Sequence, residues 1–229
     1  MSYSGLGAYP PHPPPRRPNR APLWLALGAA GVLAVGGGVA FALLGGDEDG
    51  RATPATSSPA EPDWPVVEDD SAGVRYELPP SWESSGKGVV GRLRVTGSHV
   101  SRPFECQGRD MVQAQSVSGA VVDDDPEGVA AELVGQLARN SYTVEGAPPE
   151  VGEPRVESSS EDRVVLSVEV TPRAANACYA PKATITAVAL RNGSRTSVLV
   201  VNVARGGPHV AQGPSEDEVR RILGSVRLS

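Results

Sequence analysis

The hydrophobic pattern of the chain changes period twice. Residues 23–44 form an uncharged apolar run of 22 residues. As an α-helix this run is roughly 33 Å long at 1.5 Å per residue, enough to cross a hydrocarbon core of roughly 30 Å. Backbone groups in lipid must pair internally, so a lone span is helical. From Gly73 onward the pattern alternates: Gly73-Val74-Arg75-Tyr76-Glu77-Leu78 reads as a half-buried strand that Pro79-Pro80 ends. Residues 89–95 and 111–117 read as further strands. Asp125-Pro126-Glu127 predicts a helix start, with a capping acid and a proline in the first turn. Val129, Ala130, Leu133, Val134 and Leu137 then fall on one helical face, and Asn140 or Ser141 ends the helix. Residues 164–170, 183–190 and 196–203 are apolar strands, the last two joined through Arg191-Asn192-Gly193-Ser194. Asn-Gly between apolar runs predicts a hairpin in which both turn residues take positive φ. Ser215 and Glu218 have the spacing of a capping box, Val219, Ile222 and Leu223 make a buried stripe, and Gly224 ends that helix. Val226 and Leu228 suit a short closing strand.

Hairpin-linked strands with few helices predict an α+β fold, an antiparallel β-sheet with two main helices packed on it, preceded by one transmembrane helix. The expected organisation is a proline-rich tail at 1–21, the span at 22–45, a flexible acidic spacer at 46–67 and the folded domain at 68–229. Such a domain is long enough to bury a core without help from a metal. Trp64, late in the spacer, packs either on the domain or at a membrane surface.

Charge sets the expected orientation. Arg16, Arg17 and Arg20 precede the span, which no acid does, and Asp47, Glu48 and Asp49 follow it. The positive-inside bias therefore predicts a cytoplasmic N-terminus and an extracytoplasmic C-terminal domain at the cell membrane. A cleaved signal peptide has an apolar region of 7–15 residues, shorter than this run, and no lipidated Cys follows it. Beyond the span, 27 acids face the 18 bases that remain, which excludes the basic footprint of a nucleic-acid partner. Lys is confined to Lys87 and Lys182 while Arg, Ala, Gly, Pro and Val abound, a bias like that of actinobacterial genomes of high GC content.

Ala30, Ala34, Gly38 and Ala42 recur every fourth residue, a small-xxx-small row through which two spans would form a weak homodimer. The prolines at 10, 11, 13, 14, 15 and 18 favour polyproline II, either as a docking segment or as a solvated tail. Thr53-Pro54 and Ser58-Pro59 lie in a stretch suited to O-glycosylation or to a bare linker.

Two cysteines, Cys106 and Cys178, lie beyond the span, and an even pair in an oxidising compartment predicts a disulfide. Free thiols and a metal pair are the alternatives, the latter disfavoured because the spacing is not that of a zinc site. Hydrolase chemistry needs a nucleophile, a base and an orienting acid. The candidate bases are His99 and His209, neither in a recognisable motif, and no Gly-x-Ser-x-Gly elbow is present. Asp123-Asp124-Asp125 lacks the ligand spacing of a calcium loop and reads as a solvated, helix-capping run. No phosphate-cradling glycine motif occurs, and no cofactor is expected.

The segment Gly73-Val74-Arg75-Tyr76-Glu77-Leu78-Pro79-Pro80-Ser81-Trp82 resembles the opening of PsbP/Mog1-like domains. The capped helix from Ser215 running into Gly224-Ser225-Val226-Arg227-Leu228 is similar to their close. The layout resembles secreted mycobacterial lipoproteins of that fold, from which the chain departs in lacking a lipidated Cys. Its tail, span and spacer resemble streptomycete membrane proteins. The resemblance implies a PsbP/Mog1-like fold and brings no set of functional residues. The expected function is a membrane-anchored, non-catalytic binding module of the bacterial cell envelope, whose partner is an envelope protein or a small ligand. A cell-surface hydrolase is the alternative, and its mark would be His99 or His209 in a pocket beside a Ser and a carboxylate.

Overall fold

In the computed structural model, residues 63–144, 146–173 and 177–229 are described. The tail, the span with Ala30, Ala34, Gly38 and Ala42, and most of the spacer lie outside them. Among the described residues no helix is long and apolar enough to cross a membrane.

The elements run β1 (Val66–Asp69), β2 (Val74–Glu77), β3 (Glu83–Ser84), β4 (Gly88–Val90), β5 (Leu93–Val100), β6 (Phe104–Cys106), β7 (Arg109–Met111) and β8 (Ala114–Val121). Helix α1 (Pro126–Tyr142) follows. Then come β9 (Glu150–Val151), β10 (Arg155–Ser159), β11 (Arg163–Thr171), β12 (Lys182–Asn192), β13 (Arg195–Arg205), α2 (Glu216–Ser225) and β14 (Arg227–Leu228). The main sheet has the order β10-β11-β12-β13-β8-β5-β3, with β4 on β5 and β9 on β11. A smaller sheet has the order β1-β2-β14, and β6 pairs with β7 alone. Among the described residues every strand pairing is antiparallel, so the α+β architecture expected from the hairpin pattern is present.

The main sheet is covered on both faces, which explains the continuous apolar runs in its central strands. On one face α1 packs across β11, β12 and β13. There Val129, Leu133, Val134 and Leu137 meet Leu166, Val168, Ile185, Ala187, Val198 and Val200. On the other face Val188, Leu190, Leu199 and Val201 meet Val74 and Tyr76 of β2 and Val219 and Ile222 of α2. Tyr142, at the end of α1, donates to Asn202 Oδ1 at 2.9 Å within the first layer. Burial in that layer pushes the Tyr142 phenol well above its ordinary pKa, against the smaller opposing effect of the Asn202 bond.

Both helices begin where their capping residues predict. Asp125 accepts from the amide of Gly128, and Ser215 and Glu218 form the reciprocal box. Each helix runs one or two residues past its expected end, to Tyr142 and Ser225.

The strand reading needs correction at several places. Residues 89–95 are not one strand but a hairpin: Val90 faces Leu93, and Gly91, at φ 57°, opens the two-residue turn. The strand expected at 111–117 is shifted, because Met111 ends β7 and β8 begins at Ala114. The hairpin of β12 and β13 is present, but Asn192 pairs with Arg195, so the turn is Gly193-Ser194 and only Gly193 has positive φ. That is the pattern of a II′ turn. Paired positive φ occurs instead at Gln107-Gly108, between β6 and β7. The folded body also starts earlier than 68, since β1 begins at Val66. Trp64 packs on the domain, with the Arg221 guanidinium carbon 4.4 Å from its ring centroid.

The outer edge of β11 carries β9 and β10 end to end, separated by Gly152-Glu153-Pro154. The register of β10 slips between Val156 and Ser158, and all five of its residues are exposed.

Cys106 and Cys178 are joined, with Cα atoms 5.7 Å apart. The bond ties the β6–β7 hairpin to the β11–β12 connection and centres a small cluster with Met111, Phe104 and Tyr179. The loop it closes spans 72 residues. Loop-closure entropy of that size corresponds to about 4 kcal/mol as an upper figure. The double variant Cys106→Ser, Cys178→Ser should therefore lose about 2–4 kcal/mol in urea unfolding. An unchanged midpoint would show that the connection is held without the bond.

Candidate functional site

Three polar features of the domain could serve as sites. The first lies where β1 and β2 cross β5 and β8. Thr96 is the extra residue of a bulge, since Val95 pairs with Gly119 and Gly97 with Ser118. The bulge turns the Thr96 hydroxyl toward Asp69, which is 8 % exposed. The Asp69 carboxylate accepts from Ser118 Oγ at 2.6 Å, Thr96 Oγ1 at 2.7 Å and the Ala72 amide at 3.1 Å. Tyr76 Oη lies 3.3 Å from Ser118 Oγ. Burial pushes the Tyr76 phenol up to about 12, with the Asp69 charge adding to the rise and the Ser118 bond opposing it. A Cβ at Gly97 would strike Ser118 Oγ and lie 2.9 Å from Asp69 Oδ2, so this contact requires glycine.

His99 lies at the same seam, opposite Ser116 in the ladder and edge-on to Tyr76 at 6.3 Å. Its Nδ1 is buried without a hydrogen-bond partner, as is Ser116 Oγ. A histidine, serines and a carboxylate thus gather here. Their bonds do not make a nucleophile–base pair: Ser118 gives its proton to Asp69, and His99 bonds to neither. His209 is elsewhere, stacked on Phe104 at 4.5 Å between ring centroids.

The acidic run is occupied in structure. Asp123 accepts from the Asp125 amide and pairs with Arg92 at 2.8 Å, while Asp125 caps α1. Arg92 also bonds Glu132 of α1 at 2.9 Å, which fixes the β4–β5 turn to the helix. Among the described residues no group of three or more His, Cys, Asp or Glu side chains is placed to hold a metal.

The third feature is concave. An open cleft of about 460 Å³ lies between the start of β11, the β12–β13 hairpin and β14. Asp162, Arg163, Leu190, Arg191, Gly193, Val226, Arg227 and Leu228 line it. Arg163 donates to Val226 O and Leu223 O, both at 2.8 Å, and so satisfies carbonyls at the end of α2. Arg191 makes long contacts to Asp162 at 3.7 Å and Asp124 at 3.9 Å. Arg227 donates to Gly224 O at 3.2 Å. Alternation marked Leu228 as apolar and closing, yet it is 39 % exposed beside the cleft. Sequence reasoning missed this group because its members are scattered between 162 and 228 and share no motif.

Two covered sheet faces, a seam pinned by a buried acid and an arginine-rimmed cleft describe an antiparallel α+β domain. The chain belongs to the family described as Domain of unknown function (DUF8017), whose profile matches residues 57–229. No curated protein matches it in sequence. Among solved structures it is similar to the Ran-binding protein Mog1p of Saccharomyces cerevisiae, at 13 % identity and a TM-score of 0.44, over 72 % of this chain and 95 % of that one. It is also similar to the cyanobacterial PsbP of Synechocystis sp. PCC 6803, at 8 % identity and a TM-score of 0.46, over 77 % of this chain and 99 % of that one. Likeness at this level concerns layout and assigns neither partner nor activity.

The seam generates two predictions. Desolvation lowers the His99 pKa from 6.5, against the smaller opposing pull of Asp69. The unfolded chain then takes up the proton first as pH falls, so the stability held above pH 6.5 is lost progressively below it. Urea unfolding across pH 7 to 5 should show this slope flattened in His99→Gln; an identical slope would place its cause elsewhere. Gly97→Ala should destabilise by roughly 2–4 kcal/mol, because Ser118 and Asp69 must separate to admit the methyl. A loss below about 0.5 kcal/mol would mean that the seam yields freely.

Proposed function

We propose that the chain is a non-catalytic binding module, held on the outer face of a bacterial cell membrane by the span expected at 22–45. The cleft between β11, β12 and β14 is its contact surface for an envelope component. One observation carries this reading. Ser118 gives its proton to Asp69 inside the fold and His99 Nδ1 is bonded to neither serine, whereas Arg191 and Arg227 line an open concavity. A hydrolase would need Ser118 or Ser116 bonded to His99, and the bond from Ser118 goes to Asp69 instead.

The joined cysteines support an extracytoplasmic setting, because such bonds persist in oxidising compartments. The arginines before residue 23 and the acids after residue 46 support the orientation, and the composition supports an actinobacterial-type envelope. The row Ala30, Ala34, Gly38 and Ala42 would let two spans pair weakly beneath the domain.

A photo-crosslinking residue placed at Leu228 tests the contact surface in intact cells. It should give a discrete adduct that the same residue at Val89, exposed in β4 away from the cleft, does not. Equal patterns from both positions, or no adduct from Leu228, would count against the module.

A further inference from the structure

We infer that the cleft is an anion site, which takes a carboxylate or phosphate group between Arg227, Arg163 and Arg191. This rests on the cleft being the contact surface proposed above. In a chain with 27 acids and 21 bases, the eight residues around the cleft include three arginines and a single acid, Asp162. Among the described residues neither Arg163 nor Arg227 makes an ion pair. Their bonds run to backbone carbonyls, which orient the guanidiniums without neutralising them.

The arrangement also sets like charges against each other. Burial and then the nearby Arg227 lower the Arg163 pKa from its ordinary value. Arg227 is the ladder partner of Arg75 on β2, and like charges directly opposite in a sheet destabilise it. An anion among them relieves that repulsion, and the planar fork of a guanidinium fits two oxygens of one acid group. Arg191 adds a third cation, because its contacts to Asp162 and Asp124 are long and exposed. Leu190, Val226 and Leu228 supply an apolar flank, which suits an acid group carried on an organic body.

The full chain in neutral detergent provides the test. Its thermal midpoint is measured in inorganic phosphate, in acetyl-triglycine and in acetyl-triglycinamide, each against chloride at matched ionic strength. A ligand that binds the folded state raises the midpoint, here by about 2 °C at several times its dissociation constant. The rise is expected with phosphate, with acetyl-triglycine or with both, and the responding probe identifies the source of the acid group. The uncharged acetyl-triglycinamide gives none. Arg227→Gln, freed of the repulsion from Arg75 and Arg163, holds or slightly raises the chloride midpoint and loses the further rise with the acids; should its chloride midpoint drop, Arg191→Gln serves instead. No rise with either acid overturns the inference. So does a rise that the variant retains, which is the general exclusion of phosphate from protein surfaces. Failure of both probes beside a Leu228-specific adduct removes the anion and leaves the binding module standing. A variant-sensitive rise without any adduct keeps the anion site and removes the envelope contact.

Discussion

The second layer of this domain is held down by one buried carboxylate. Asp69 closes β1 and collects the Ser118 and Thr96 hydroxyls from β8 and β5 together with the Ala72 amide of the turn that follows it. A buried carboxylate is tolerated only with such partners, and losing one leaves the full desolvation cost behind. The bonds need the Thr96 bulge and the bare Gly97, so two irregularities in β5 exist in the service of one residue in β1. With β1 and β2 seated, β14 has a strand to pair with and α2 has a surface to cover. The cleft forms where β14 ends, and it therefore depends on the seam.

Much of the fold was legible because periodicity and capping are local. The apolar face of α1 from Val129 to Leu137 and the Ser215–Glu218 box appear where their spacing puts them. What failed was turn placement. Gly91 inside an apolar run looks like a weak spot in a strand, but it reverses the chain. At Asn192-Gly193 the pair was right for a hairpin and wrong by one residue for the turn, because cross-strand register decided which two residues stay unpaired. The seam was illegible for another reason. Asp69, Thr96 and Ser118 are far apart in sequence, and only the bulge at Thr96 brings them together. His99 was visible as a candidate base, but nothing local shows that Ser118 bonds an acid rather than the imidazole.

The two ends of the main sheet differ in construction. Strands β12 and β13 are eleven residues each, roughly 35 Å of extended chain. At the Lys182–Arg205 end, the disulfide, Phe104 on His209, and Tyr179 bind three loops together. At the Asn192–Arg195 end, short turns leave arginines facing solvent around a hollow. Cross-linking between loops is thus concentrated at the end of the sheet opposite the cleft. The cleft's own rigidity comes from Arg163, which grips the last turn of α2 and the chain leaving it.

The outermost strands β9 and β10 have a consequence at the scale of many molecules. Their line is cut by Gly152-Glu153-Pro154 and slips again at Glu157, so its outward amides and carbonyls do not form an unbroken row. A second copy approaching sideways finds no continuous template on which to add a strand. Sideways strand addition is therefore disfavoured along this side of the main sheet, where neighbouring copies can meet without joining their sheets.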